Sequence, residues 1–337
     1  MRISKNRNRS FLVIFVVDFF VLFLCASISY SEDIWRCGTI APQGSDYEKI
    51  IKKISSEIEK KFNIKIKVYY STFFTDEIDI ARDMRNGKLD CAILTGNGLG
   101  YLSKYAMVLQ LPFLIKSKDE WRKVQKGISN LLTKAVRDDG WEILTLFGIG
   151  FVHFLSKYKL EEIQDFSDRR FWVWPTNPVQ VEVFKVLENF GVKPFEVSVI
   201  DLLNFCDKTD IIWGPPYALV AFGWYRHFKY IVFPPILYFP GGVVVSLQKL
   251  QTYSTEVVSQ LKEVFGRESD NITQELEILN EKAYETIFRS GIKKVEMKSV
   301  EKFEEVFKSQ IYPSFKKHVP SWLIVSVMEE ILKFRKY

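Results

Sequence analysis

The sequence predicts an α/β fold of two doubly wound lobes joined by crossing strands, with a cleft between them and long helices near the C-terminus. A strand–helix alternation typical of parallel sheets occurs twice along the chain. Two apolar stretches, residues 141–154 and 228–247, have strand composition broken by glycine or proline, which suits strands that cross between lobes. A chain of 337 residues with 47% hydrophobic residues is long enough for two cores.

The first 31 residues have the layout of an export signal. A basic start precedes the apolar run 11–24, and small and polar residues follow it. A helix over this run is about 21 Å long, short of the roughly 30 Å of a bilayer core, which favours cleavage over a permanent span. Asp18 inside the run and Cys25 as a lipid attachment point leave a retained anchor open. We expect an exported, periplasmic protein.

The charge does not indicate a polyanion partner. The formal net charge is +6, and the leader supplies half of it, with four basic residues against Asp18. Basic residues elsewhere alternate with Asp and Glu along predicted helix faces, whereas nucleic-acid binding needs a clustered basic patch. Nucleic acid is therefore excluded as a predicted partner.

Cysteine and histidine usage predicts neither a disulfide framework nor a metal site. Cys37, Cys91 and Cys206 follow the leader, and an odd number cannot all pair. Cys37 and Cys91 fall in predicted strands and could be neighbours, although small buried thiols are the favoured interpretation. No CxxC or HxxxH spacing is present, and we predict no metal and no cofactor. The histidines are scattered, at His153, His227 and His318.

The first lobe is predicted as strand, helix, strand, helix, strand. Ser45 and Glu48 have the spacing of a capping box at the first helix, and Gly87 ends the second. The predicted elements are strand 34–40, a helix from residue 46, strand 64–70, helix 76–86 and strand 89–95, with a further helix at 118–137.

The same alternation returns in the second lobe. Asn177 and Pro178 are a cap and first-turn proline, and the tail from Ser299 is helical with breaks expected at Pro313 and Pro320. The other predicted elements are strands 171–174, 192–197, 210–213 and 292–297 and helices 254–265 and 270–289. We predict lobe I as residues 32–149 plus about 241–266, lobe II as 150–240 plus about 267–312, and a helical tail at 313–337.

Ligands of such folds bind at the carboxyl ends of the strands, where a hinge closes two lobes on a solute. Side chains two apart in a strand share a face, so Trp172 and Trp174 should point the same way. For each aromatic residue alone, core packing is the alternative interpretation. The candidate ligand residues at the strand ends are Gln43, Phe73, Asn97, Trp172, Trp174, Asn177, Trp213 and Tyr217.

Several short motifs, in order, give the chain a family resemblance from about Ile34 to the last helices. The sequence resembles the solute-binding subunits of TRAP (tripartite ATP-independent periplasmic) transporters, the DctP-like family. This implies a periplasmic-binding-protein-like, type II-like fold and a receptor, not an enzyme, that delivers a solute to TRAP membrane permease subunits. The motifs are Ile40-Ala41-Pro42, residues 84–92, Leu111-Pro112-Phe113-Leu114, residues 165–173 and residues 291–295.

The chain departs from the family where the family binds carboxylates. The usual pattern Asp-Leu-x-Gly-x-Lys-Ile-Arg-Val corresponds to residues 165–173, and Trp172 occupies the arginine position. A second arginine of many members corresponds to Val152. Without these cations a buried anion lacks its charge-assisted bonds, so we predict an apolar or aromatic ligand, with Phe113 and Phe151 as further walls. A two-residue register slip would instead place Arg170 in a carboxylate clamp.

Two other functions remain as alternatives. An exported enzyme lacks support, because no G-x-S-x-G elbow or glycine-rich phosphate loop is present. A binding or scaffold protein could use an aromatic cleft for a protein partner. The resemblance suggests a helical-repeat lipoprotein as that partner.

Overall fold

The structure, a computed structural model, describes residues 33–335. The predicted export signal, residues 1–31, lies outside the described residues. From Ile34 onward the chain forms one compact unit. The strands are β1 Asp33–Gly38, β2 Ile64–Tyr69, β3 Cys91–Thr95, β4 Trp141–Ser156, β5 Arg170–Val173, β6 Lys193–Glu196, β7 Ile211–Gly214, β8 Tyr230–Phe233, β9 Leu237–Ser246 and β10 Lys293–Glu296.

Helices follow most of the strands and cover the sheets, as the alternating pattern predicts. Short 3-10 segments occur at Lys104–Gln110, Ile163–Phe166, Cys206–Lys208 and Trp224–His227. The α-helices are α1 Asp46–Phe62, α2 Glu77–Arg85, α3 Gly96–Leu102, α4 Lys118–Arg137, α5 Pro178–Glu188, α6 Leu202–Phe205, α7 Pro216–Ala221, α8 Leu247–Leu250, α9 Thr255–Arg289, α10 Val300–Phe315 and α11 Ser321–Arg335.

Strand β4 belongs to two sheets and joins the two lobes. Its first part pairs antiparallel with β9, in a first sheet of order β2-β1-β3-β9-β4. From His153 onward it pairs with β7 in a second sheet that continues to β5 and β6, with β8 and β10 beside it. The register shifts between Gly148 and Gly150, and a Cβ at Gly150 would lie 2.7 Å from the Asn280 amide nitrogen. The predicted crossing and its glycine bend are confirmed. The exact lobe boundaries stay a prediction.

Helix capping follows the sequence pattern. The Ser45 hydroxyl accepts a hydrogen bond from the Glu48 backbone N–H at the start of α1, and isoleucines at helical spacing bury one face of that helix. Asn63 ends it in the left-handed conformation. Helix α1 is thereby fixed against the first sheet.

The C-terminal helices are longer than the sequence indicated. Residues 254–265 and 270–289 were predicted as separate helices, but α9 runs unbroken for 35 residues. The Ser269 side chain bonds the Leu146 carbonyl and the Gln125 amide instead of capping a new helix. A Cβ at Gly266 would meet nothing within 4 Å, so packing does not require glycine there. The glycine only lowers the intrinsic helix propensity of α9. The break expected at Pro313 is also wrong, since α10 continues to Phe315.

Two cysteines predicted as separate buried thiols form a disulfide. Strands β1 and β3 are parallel neighbours that place Cys37 opposite Cys91, and the two sulfur atoms are bonded. Cys206 is free and buried. The favoured interpretation was wrong for this pair because strand register, which spacing along the chain does not show, decides which cysteines meet. Structural disulfides persist in oxidising compartments, which agrees with an exported protein.

We expect the double variant Cys37→Ser, Cys91→Ser to lose about 2 to 4 kcal/mol of unfolding free energy, because the bond closes a long loop in the unfolded chain. Urea unfolding with and without reductant measures this loss. Reductant should destabilise the wild type and leave the double variant unchanged. Equal midpoints for both proteins without reductant would show that the bond contributes nothing.

Candidate functional site

A cavity lined by residues of both sheets lies beside the crossing strands. Four indoles, those of Trp172, Trp174, Trp213 and Trp224, contribute to its walls, and we call it the tryptophan cavity. Its volume is about 110 Å³. This is less than the roughly 300 to 1,000 Å³ of drug-sized ligand sites, so the cavity suits a small solute.

The tryptophans present aromatic surfaces because other groups satisfy two of their N–H donors. Trp172 and Trp174 stack with ring centroids 6.5 Å apart and an interplanar angle of 10°, on one face of β5 as predicted. Trp172 Nε1 donates to the Val197 carbonyl at 2.9 Å, and Trp174 Nε1 donates to Asp76 Oδ2 at 2.6 Å. These indoles therefore face the cavity with carbon surface.

A buried amide fixes the end of β5. Gln180 accepts from the Trp174 backbone N–H at 2.7 Å and donates to the Trp172 carbonyl at 2.7 Å. Asn177 lines the cavity, but its side-chain oxygen caps α5 by accepting from the Gln180 N–H at 3.0 Å. The side-chain oxygen of Asn177 is therefore already occupied by a structural hydrogen bond.

The walls of the tryptophan cavity are uncharged. None of the charged residues among residues 33–335 lines it, and Val152 is part of the wall. Arg170 points away, with its side chain 46% exposed and paired with Asp210 at 3.2 Å. The register-slip alternative, with Arg170 as a carboxylate clamp, is not favoured by this placement.

An adjoining cavity shares Thr95, Ile149 and Phe222 with the tryptophan cavity and reaches Tyr217 and Glu77. The Glu77 side chain is fully buried. Its oxygens accept from the Thr95 backbone N–H at 2.7 Å, the Thr95 hydroxyl at 2.6 Å and the Gly98 N–H at 2.7 Å. Burial raises the pKa of Glu77 to about 7, although these hydrogen bonds oppose the shift. This carboxyl group sits on the N-terminus of α3, where negative charge is stabilised.

Most of the described chain matches the model of a known protein family. Residues 37–318 match the model of the DctP family, described as bacterial extracellular solute-binding protein, family 7. The chain belongs to this family. It is a family of solute-binding proteins and not of enzymes, as the sequence indicated.

Two curated relatives align with parts of this DctP family chain. A "solute-binding protein" of Chromohalobacter salexigens is 28% identical over 133 residues, 39% of this chain and 40% of the relative. The ectoine/5-hydroxyectoine-binding periplasmic protein UehA of Ruegeria pomeroyi is 25% identical over 175 residues, 51% of this chain and 50% of the relative. The chain thus spans about half the length, or less, of the curated relatives it matches.

Solved structures of TRAP periplasmic solute-binding proteins share the fold. One from Chromohalobacter salexigens with bound D-glucuronate has a TM-score of 0.80 at 19% identity, covering 88% of this chain and 99% of that one. One from Desulfovibrio salexigens with bound orotic acid also has a TM-score of 0.80, at 14% identity and 89% and 99% coverage. A Bordetella pertussis receptor binding pyroglutamic acid has a TM-score of 0.79 at 13% identity, with 88% and 99% coverage. The two-lobed fold of the family is therefore shown.

The structure brings some of the predicted site residues of this DctP family member together. Trp172, Trp174, Asn177 and Trp213 line the tryptophan cavity. Tyr217 lines the adjoining cavity, where its hydroxyl accepts from the Tyr47 N–H at 3.2 Å.

The other predicted residues lie outside the cavity walls. Gln43 is exposed, and Phe73 is 66% exposed with its ring edge-on to Tyr69. Asn97 is buried in the first turn of α3. Phe113 has a φ of 57° and packs in the core with Phe303 and Phe307, and Phe151 packs against Tyr238. The structure thus places these five side chains away from the walls of the tryptophan cavity. Phe151 lies within β4, where its neighbour Val152 lines the cavity, and Asn97 lies in α3.

Sequence reasoning missed several wall residues. Gln110 and Trp224 line the tryptophan cavity from 3-10 segments, and Glu77 lines the adjoining cavity from the start of α2. Neither 3-10 segment directly follows a strand, and the prediction considered only residues at the carboxyl ends of strands. The burial of Glu77 could not be predicted from the sequence either, because acidic residues in the first turn of a helix are usually exposed.

Within residues 33–335, no helix combines the length and apolar composition needed to cross a membrane. The same residues contain no group of three or more His, Cys, Asp and Glu side chains arranged to hold a metal ion.

We expect Arg170→Ala to lower the unfolding free energy by on the order of 1 kcal/mol, because the Arg170 side chain is 46% exposed and Asp210, which is 10% exposed, keeps its bond from the backbone N–H of residue 170. Affinity for any cavity ligand should stay unchanged, since the guanidinium lies outside the cavity. Calorimetric titration of both proteins with the co-purified ligand tests this. A tenfold loss of affinity would restore Arg170 as a clamp.

Proposed function

We propose that this chain is the extracytoplasmic receptor of a TRAP-type transporter for a small, uncharged, largely apolar or aromatic solute. The solute binds in the tryptophan cavity as the lobes close, and the receptor delivers it to the membrane permease subunits. The observation that carries the proposal is the wall itself, which has four indoles and, among the described residues, no charged side chain. Such a wall suits a flat apolar molecule.

The energetics favour an uncharged ligand. Burying an anion without a paired cation costs several kcal/mol, which charge-assisted bonds to arginine normally offset. Trp172 and Val152 occupy the two positions where the family resemblance implies such arginines, and both line the cavity. An aromatic solute instead gains about 25 cal/mol for each Å² of apolar surface it buries.

The proposed uncharged ligand differs in charge from the ligands of the similar structures. Those receptors were found with D-glucuronate, orotic acid and pyroglutamic acid, all of them acids. Glu77 strengthens the contrast, because this buried carboxyl group, whose pKa is raised to about 7, gains negative charge as the pH rises through 7 and then repels an anion in the adjoining cavity. The fold is retained, while the chemistry of the wall differs.

Family membership and redox chemistry both support a location outside the cytoplasm. An extracellular solute-binding family and a buried disulfide both support export. Cleavage of the signal, retention of an anchor and association with a helical-repeat lipoprotein stay predictions from the sequence.

Native mass spectrometry of the purified mature chain, followed by extraction and identification of the bound molecule, tests the proposal. We expect a neutral, mostly apolar compound. Trp172→Ala should purify without it, whereas the matched control Phe73→Ala, an exposed ring outside the cavity, should retain it. A bound carboxylate that the Trp172 variant still retains would overturn the proposal.

A further inference from the structure

Two buried polar side chains in the wall of the tryptophan cavity have no hydrogen-bond partner. Gln110 is 1% exposed, and neither its amide nitrogen nor its amide oxygen makes a bond within residues 33–335. Trp224 is 2% exposed, and its Nε1 is likewise without a partner among the described residues. Both residues line the cavity. Unpaired buried groups of this kind are few in native proteins, and each needs a reason.

The Gln110 amide is held in place at the end of β3. It packs directly over Gly96, where a Cβ would lie 2.7 Å from Gln110 Cδ and 2.8 Å from Nε2. A residue larger than glycine at position 96 would displace the amide. The local packing thus keeps an unpaired polar group against a mostly apolar wall.

Trp224 is fixed on the side of the second sheet. Its ring stacks on Phe222 with centroids 4.8 Å apart and meets Trp172 edge-on at 5.3 Å. Unlike the N–H groups of Trp172 and Trp174, which bond Val197 and Asp76, its N–H lacks a protein acceptor in the described part of the chain. Gln110 thus brings an unpaired donor and an unpaired acceptor to the wall, and Trp224 brings one unpaired donor.

We propose that Gln110 and Trp224 recognise an amide edge on the solute, which makes them the specificity-determining residues of the receptor. This inference rests on the proposed function. An amide side chain pairs in two hydrogen bonds with a group that carries a donor and an acceptor side by side. A ring lactam or imide has such an edge, and its carbonyl oxygen has a second lone pair for the Trp224 N–H.

This chemistry narrows the ligand class. A hydrocarbon would leave three polar atoms of the wall unpaired, and a site built to hydrogen-bond rejects analogues without the matching groups. A carboxylate accepts but does not donate, so it leaves the Gln110 oxygen without a donor. A flat, neutral heterocycle with a lactam edge satisfies both the indole faces and the polar atoms.

Calorimetric titration of the mature chain with a series of bicyclic probes tests the inference. The probes are 2-quinolinone, N-methyl-2-quinolinone, which lacks the donor, naphthalene, which lacks both groups, and 2-naphthoate, which is charged. We expect 2-quinolinone to bind at least tenfold more tightly than each of the others. Gln110→Met, of similar volume, should abolish this preference, and Trp224→Phe should weaken 2-quinolinone about fivefold while leaving naphthalene within twofold.

Thermal unfolding separates recognition from a structural role. Because the Gln110 amide is unpaired, Gln110→Met should raise the Tm of the ligand-free protein by about 2 °C, whereas loss of a structural hydrogen bond would lower it. Equal binding of 2-quinolinone and its N-methyl derivative, or no binding of either, overturns the amide-edge inference and leaves the apolar receptor standing. Preference for 2-naphthoate overturns the proposed function itself.

Discussion

Replacing Trp172 with arginine is expected to abolish binding of the apolar solute and to make the stability of the protein depend on added carboxylate. The Trp172 side chain is 2% exposed, lines the cavity and stacks on Trp174. An arginine there would bury a guanidinium with no partner, at a cost on the order of 4 kcal/mol. The Tm should therefore fall, and millimolar benzoate should restore part of the loss by pairing with the new charge.

The controls separate this effect from simple disruption of the fold. Trp172→Ala removes the same ring, costing about 3 to 5 kcal/mol, and should lose the apolar solute without gaining a response to benzoate. Phe73→Arg places the charge on an exposed loop and should change neither Tm nor binding. If benzoate raises the Tm of all three variants alike, position 172 is not in a carboxylate-sized site, and the assignment of the cavity fails.

The architecture could be predicted because its signals are local. Glycines within the long apolar stretch at residues 141–154 marked the crossing strand, and Ser45 and Gly87 marked helix ends. The break inside α9 was predicted wrongly, because Ser269 and Asp270 look like the start of a helix. Packing against Leu146 decides otherwise, and sequence spacing does not show that contact.

The candidate site could be predicted only in part, for a related reason. Strand alternation fixes the face of Trp172 and Trp174, so their common direction follows from the sequence. The direction of a loop side chain depends on single backbone angles, as at Phe113, whose φ of 57° turns its ring into the core. Gln110 and Trp224 come from short 3-10 segments, and only the folded chain brings them to one cavity.

The wall also explains how one fold can serve different solutes. In this chain Trp172 is held by its own N–H bond to Val197 and by Gln180, which bonds the backbone on each side of Val173. The Gln180 bonds are to the backbone, so they would position whatever side chain stands at 172, charged or aromatic. A change of ligand class therefore needs few substitutions, provided that the supporting bonds of β5 remain.

Glu77→Ala is expected to destabilise the protein by about 5 kcal/mol at pH 5. The carboxyl group supplies the acceptors for the N–H groups of Thr95 and Gly98 at the start of α3, and each buried donor left unpaired costs about 1 to 3 kcal/mol. Removing a fully buried side chain adds a cavity term. Chemical unfolding of the two proteins in urea measures the difference. Glu285→Ala, on an exposed ion pair with Arg289, is the matched control and should cost less than about 0.5 kcal/mol.

Glu77→Ala should also change how the unfolding free energy depends on pH, because the pKa of Glu77 differs between the folded and unfolded states. The pKa of Glu77 is about 7 in the fold against an ordinary 4.5, so between these values the native state holds a proton that the unfolded chain has released. The stability that Glu77 contributes is full below pH 4.5 and decreases as the pH rises through 7. The advantage of the wild type over Glu77→Ala should therefore shrink by on the order of 3 kcal/mol between pH 5 and pH 8. A constant or growing advantage would mean that Glu77 is already ionised in the fold at pH 5, which would contradict its raised pKa.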